Sequence, residues 1–148
     1  MATKKPIFIL NGPNLNLLGT REPEQYGSQT LADVEADCRQ HAAALGFAVQ
    51  FRQSNHEGEL LDWLHEANDT ASAVVLNAGA YTHTSLALGD AVRGIDVPIV
   101  EVHISNVHAR ETVRHHSHIS APAAGVIVGF GTMGYGLAID AIARWNDT

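Results

Sequence analysis

Apolar residues along this chain recur in two rhythms. Short runs rich in Val, Ile and Phe appear at "PIFIL" (6–10), "FAVQF" (47–51), "AVVLN" (73–77), "PIVEVHI" (98–104) and "GVIVGF" (125–130), and these predict β-strands. Between them lie stretches whose apolar positions return every three or four residues: "LADVEADCRQHAAAL" (31–45) closed by Gly46, "GELLDWLHEAND" (58–69), "SLALGDAVRGI" (85–95) and "MGYGLAIDAIARWN" (133–146). That spacing predicts helices. Thr30 stands where the first helix needs an N-cap, with Asp33 at the capping-box position.

Strands that alternate with helices imply right-handed crossovers and a parallel sheet covered on both faces. About five strands in 148 residues predict an α/β fold in a single domain, a flavodoxin-like doubly wound parallel sheet. Ligands of such sheets bind at the carboxyl ends of the strands. There the first strand delivers residues 11–26, the third "NAGAYTHTS" (77–85) and the fourth "EVHISNVHARETVRHHS" (101–117). Three polar segments, distant in sequence, are expected to meet on one rim.

Composition narrows the partners. With 45% hydrophobic and 17% charged residues the chain is ordinary for a globular protein, and no run approaches the roughly 18 apolar residues of a membrane span. The start, "MATKKPIFIL", leads into "NGPN" rather than a cleavage site, so it reads as a first strand and not a signal peptide. Cys38 is the only cysteine, which excludes an internal disulfide and a multi-thiolate metal site and makes a reducing cytoplasm the expected location. A net charge of -7 with no block of Lys or Arg argues against nucleic acid as a partner. The two lysines, Lys4 and Lys5, both precede the first strand, so imine chemistry is hard to build.

Several motifs invite chemistry. "GPNLNLLG" lacks the Lys-Ser/Thr of a phosphate-binding loop, and the G-x-G-x-x-G at 129, 131 and 134 falls at the last strand with no βαβ unit after it; a tight strand-to-helix turn is the expectation there. Nine histidines include "HHSH" at 115–118, but no H-E-x-x-H or thiolate pair accompanies them, so neither a metal nor a cofactor is expected. His41, His56 and His65 are expected at the surface, whereas His83 and His103 fall just past strand ends, inside the predicted cleft. Arg21 lies five positions before Tyr26 in a polar segment too rich in Gly and Pro for a regular element. Taken alone, the pair reads either as a packed tyrosine beside a solvated arginine or as a general base with its activating cation. The second reading is sound in magnitude, because lowering a phenol pKa from about 10 by ~2–3 units takes roughly 3–4 kcal/mol, which one cation at about 4 Å in a partly dry site supplies.

The stretches "NGPNLNLLGTREPEQYG", "NAGAYTHTS", "EVHISN" with "RETVRHHS", and "GFGTMGYGLA" together resemble those of the type II 3-dehydroquinate dehydratases of the shikimate and quinate pathways, over nearly the whole chain. Val113 stands where a bulkier aromatic is expected, a position of packing rather than chemistry. The resemblance implies an anti elimination of water from 3-dehydroquinate through an enolate, with Tyr26 as phenolate base beside Arg21. It implies that Asn14 holds a water against the enolate oxygen, that His103 is the general acid and that Glu101 orients it. By the same resemblance Asn77, His83 and Arg114 bind ring hydroxyls, while Ile104 and Ser105 grip the carboxylate. Arg110 would be a second arginine near Tyr26, and Asp90 would reach a neighbouring subunit's site in a dodecamer built from trimers. Residues 19–28 would then form a mobile lid. Two rivals remain at this point: a flavodoxin-like module holding a nucleotide or flavin, and a metal-dependent hydrolase.

Overall fold

Residues 4–20, 24 and 28–147 are described by a computed structural model. Within them the order is β1 (Ile7–Asn11), α1 (Leu31–Ala44), β2 (Val49–Gln53), α2 (Glu57–Thr70), β3 (Ala73–Asn77), α3 (Leu86–Gly94), β4 (Ile99–His103), β5 (Gly125–Val128) and α4 (Met133–Asn146). Every strand pairing is parallel, and the sheet runs β2-β1-β3-β4-β5. The fold is the flavodoxin-like doubly wound sheet that the alternating pattern predicts. No helix among the described residues is long and apolar enough to cross a membrane.

The two-residue repeat of the strands decides which side chain meets which helix layer. Ile7, Ile9, Val75, Val100 and Val102 pack with Val34 and Cys38 of α1 and with Tyr135, Ile139 and Ile142 of α4. Phe8, Leu10, Val74, Leu76 and Ile99 face the other way, toward Leu60 and Leu64 of α2 and Leu88 and Val92 of α3. Continuing each alternation to the strand ends puts Asn11 and Asn77 on the α1/α4 face and Glu101 and His103 on the α2/α3 face. Those four polar residues are all buried.

Local signals account for most boundaries. The Thr30 hydroxyl accepts the Asp33 amide at 3.2 Å while the Asp33 carboxylate accepts the Thr30 amide at 3.0 Å, the expected capping box. The second strand lies two residues later than "FAVQF" suggests. Phe47 is buried, but its amide returns to Ala42 at the end of α1 at 2.9 Å, so it closes the helix instead of joining the sheet. The glycine-rich stretch after β5 is the strand-to-helix turn. Gly129 and Gly131 take φ of 90° and 63°, where a side chain is disfavoured, and their amides donate to the carbonyls of His103 at 3.2 Å and Ile104 at 2.9 Å. The turn therefore ties down the end of β4, where His103 sits.

Candidate active site

A cleft of about 660 Å3, its open mouth included, lies over the carboxyl ends of β1, β3 and β4. Its lining includes Asn14, Asn77, His83, His103, Ile104, Ser105, Arg110 and Arg114. Glu101 is directly behind His103, with 0% of its surface exposed. Asp90 is not in this cleft; it is exposed on α3 and lines a groove facing α2. Arg21 and Tyr26 lie outside the described residues.

The β4 side is built around one buried carboxylate. Glu101 Oε2 accepts His103 Nε2–H at 2.6 Å, the Thr82 hydroxyl at 2.6 Å and the Ser117 hydroxyl at 2.8 Å, and Oε1 accepts the Ser120 hydroxyl. Burial alone pushes this carboxyl up, but the bonds from His103, Ser120 and Thr82 outweigh it and bring the pKa down to about 2. Glu101 is thus a fixed anion at neutral pH. A carboxylate can only accept, so the His103 proton at this contact sits on Nε2 and Nδ1 is left for proton exchange with a ligand. His83 lies parallel to His103, with ring centroids 6.3 Å apart. Its Nδ1 donates to the His116 carbonyl at 2.7 Å. Burial, together with the charges nearby, lowers its pKa, so the neutral ring offers Nε2 as an acceptor.

On the β1 and β3 side, Asn11 and Asn77 are register partners at the ends of adjacent strands. Both reach Tyr135 of α4: Asn77 Nδ2 donates to the Tyr135 hydroxyl at 2.9 Å, which donates to Asn11 Oδ1 at 2.7 Å. Asn14 follows with φ of 68°, the one non-glycine residue at positive φ among the described residues. Asparagine tolerates this left-handed conformation better than most residues. Its amide donates to Asn55 Oδ1 at 3.0 Å, and the Tyr81 hydroxyl fixes the Asn55 carbonyl at 2.7 Å. At the rim, Arg114 Nε donates to Glu111 at 2.6 Å, and Arg110 Nε lies 3.7 Å from the same carboxylate oxygen. Arg110 also reaches the Ser105 hydroxyl at 3.4 Å. Two guanidinium groups are so held facing the cleft, an arrangement suited to an anionic ligand.

Residues 5–143 match the sequence profile of the family described as dehydroquinase class II. The chain belongs to that family. It is 62% identical to the 3-dehydroquinate dehydratase of Acidovorax ebreus (strain TPSY) over 146 residues, covering 95% of this chain and 99% of that protein. The type II dehydroquinase structure from Propionibacterium acnes superposes with a TM-score of 0.91 at 42% identity, covering 97% of this chain and 99% of the other. That from Butyrivibrio crossotus DSM 2876 gives a TM-score of 0.93 at 39% identity, covering 95% and 99%.

The sequence by itself assigned no part to Thr82, Ser117, Ser120, Asn11, Tyr135 or Asn55. The strand endings "IFILN" and "AVVLN" carried a usable signal, since two buried strands each ending in asparagine invite a shared partner. No comparable pattern marks the three hydroxyls around Glu101. The histidines outside the cleft are placed as expected: His41 of α1, His56 at the N-cap of α2 and His65 of α2 are exposed, and His115 Nε2 contacts the Arg110 carbonyl at 2.9 Å. Val113 is 68% exposed, so the missing aromatic leaves no cavity within the chain's own core.

Proposed function

We propose that this protein converts 3-dehydroquinate to 3-dehydroshikimate and water by an anti elimination through an enolate. The observation that carries the reading is the convergence of Asn14, Asn77, His83, His103, Arg110 and Arg114 on one cleft, each from a segment that resembles the family. The substrate is a β-hydroxy ketone with a carboxylate. Its α proton is the acidic one, because the carbonyl delocalises the charge left behind, so proton removal precedes loss of the hydroxyl.

Tyr26, as phenolate beside Arg21, takes that proton; this part of the assignment rests on the sequence. Asn14 holds a water against the developing enolate oxygen, in the manner of an oxyanion site. His103 passes a proton from Nδ1 to the β-hydroxyl, which departs as water, while the Glu101 anion stabilises the imidazolium. The proton then returns from Tyr26 to His103 through solvent. Asn77, His83 and Arg114 bind the ring hydroxyls, and Ile104 and Ser105 take the carboxylate with Arg110 beside them. Residues 19–28 act as a lid that brings the base over the cleft and excludes water.

The protein works as a homo-oligomer, a dodecamer of trimers, in the cytoplasm, within the shikimate or quinate pathway. The exposed position of Asp90 outside its own cleft supports a contact with a neighbouring site. The primary test is an ultraviolet assay with 3-dehydroquinate. Appearance of the conjugated enone is expected, and a flat trace with folded protein would refute the activity. Sedimentation of the active protein tests the assembly, and a fully active monomer would refute it.

A further inference from the structure

We infer that Tyr135 is a positioning residue, which fixes the direction in which the Asn77 amide faces the cleft through a one-way chain of hydrogen bonds. The inference rests on the reading of the cleft as a dehydratase site.

The chain ends on two backbone groups whose polarity cannot change. At one end the Arg52 carbonyl can only accept, and it takes Asn11 Nδ2–H at 3.1 Å. The Asn11 oxygen must then face Tyr135, and it receives the single phenol proton at 2.7 Å. With its proton committed, the Tyr135 oxygen is an acceptor toward Asn77, so the Asn77 nitrogen turns to it at 2.9 Å. The Asn77 oxygen then meets the other backbone end, the Gly79 amide, which can only donate, at 3.1 Å. Reversing any one link would set two donors or two acceptors against each other inside the protein, where no water relieves the mismatch.

Tyr135 suits this task. It is 1% exposed, and burial raises its pKa above the ordinary phenol value, so the hydroxyl keeps its proton. It enters from α4, 58 residues from Asn77 and 124 from Asn11, and joins the ends of two strands to a helix. The consequence falls on recognition. The Asn77 oxygen accepts from Gly79 and one Nδ2 hydrogen goes to Tyr135, which leaves the second Nδ2 hydrogen as the donor available to the cleft. Asn77 therefore presents a donor and selects a ligand oxygen able to accept. Without the tyrosine hydroxyl the Gly79 amide alone distinguishes the two ends of the side-chain amide, and the nitrogen end loses the partner that holds it.

The test is a double-mutant cycle of Tyr135→Phe and Asn77→Ala, read as kcat and KM for 3-dehydroquinate dehydration. If Tyr135 acts through Asn77, Tyr135→Phe lowers kcat/KM about tenfold, mainly through KM, in the otherwise native protein, and less than about twofold once Asn77 is alanine. Equal factors in both backgrounds would mean a general structural role and overturn the inference. Asn11→Ala, which removes the acceptor of the phenol proton and leaves the ring in place, gives the same dependence on Asn77 by a second route. In parallel, Tyr135→Phe shifts the side-chain amide signals of Asn77 in nitrogen-edited NMR and quickens their solvent exchange; unchanged signals also overturn the inference. Because the NMR readout needs no turnover, failure of the dehydratase assignment is distinguishable from failure of the positioning role.

Discussion

Two residues carry the sharpest individual predictions. Tyr26→Phe removes one oxygen and leaves the ring, so turnover is expected to fall by at least ~100-fold with ligand binding largely kept, as for loss of a general base; steady-state kinetics with a binding isotherm measure both, and near-native kcat would reject the assignment. Glu101 titrates in a different regime. Its folded pKa of about 2 lies below the reference of 4.5, so its ionisation stabilises the fold fully above about pH 4.5 and that contribution is lost as the pH falls toward 2. The shift corresponds to roughly 3 kcal/mol. Denaturant titrations of the native protein and Glu101→Gln are expected to differ most near neutral pH and to converge in acid; a gap independent of pH would mean that the charge is not what holds the cradle together.

Element ends, more than interiors, fix the approaches to the cleft. The capping box of α1 fixes the helix start immediately after Gln29, which itself donates to Asp37 at 2.6 Å and accepts from Thr132 at the start of α4. Gly19 lies so close to the same turn that a Cβ there would stand 2.9 Å from the Ser28 carbonyl oxygen. Gly19 and Ser28, which flank the sequence carrying Arg21 and Tyr26, thus lie side by side. Thr30→Ala is expected to cost about 1 kcal/mol and to lower Tm by ~2–4 °C, with Thr30→Ser restoring most of it. Calorimetry decides this, and an unchanged Tm would show that the cap adds nothing.

For the whole molecule, the sheet separates the amino ends of its strands from their carboxyl ends chemically. Lys5 donates to the Asp69 carbonyl at 3.2 Å and Lys4 sits 4.6 Å from the Phe47 ring centroid, both at the amino ends of the strands. A five-residue strand spans about 17 Å, so neither amine reaches a ligand held at the carboxyl ends. Borohydride added with substrate is accordingly expected to leave activity intact and to attach no substrate mass. A stable adduct on Lys4 or Lys5 accompanied by inactivation would refute an enolate route stabilised without an imine.

The sequence alone determined the element order and the sheet class, because buried parallel strands and amphipathic helices imprint their periods directly on apolar positions. It also singled out eight residues that line the cleft, Asn14, Asn77, His83, His103, Ile104, Ser105, Arg110 and Arg114, whose segments follow strand ends and resemble a known family, whereas Asp90 lies outside it. It misplaced β2 because Phe47 is apolar and buried yet belongs to the end of α1, and hydrophobicity reports burial, not the hydrogen-bond partner. Only the tertiary structure decided that Thr82, Ser117 and Ser120 surround Glu101, and that one tyrosine joins Asn11 to Asn77. Those contacts join residues up to 124 positions apart. Their existence depends on strand register, pleat and the packing of α4, which set where each hydroxyl points and leave no period in the chain itself.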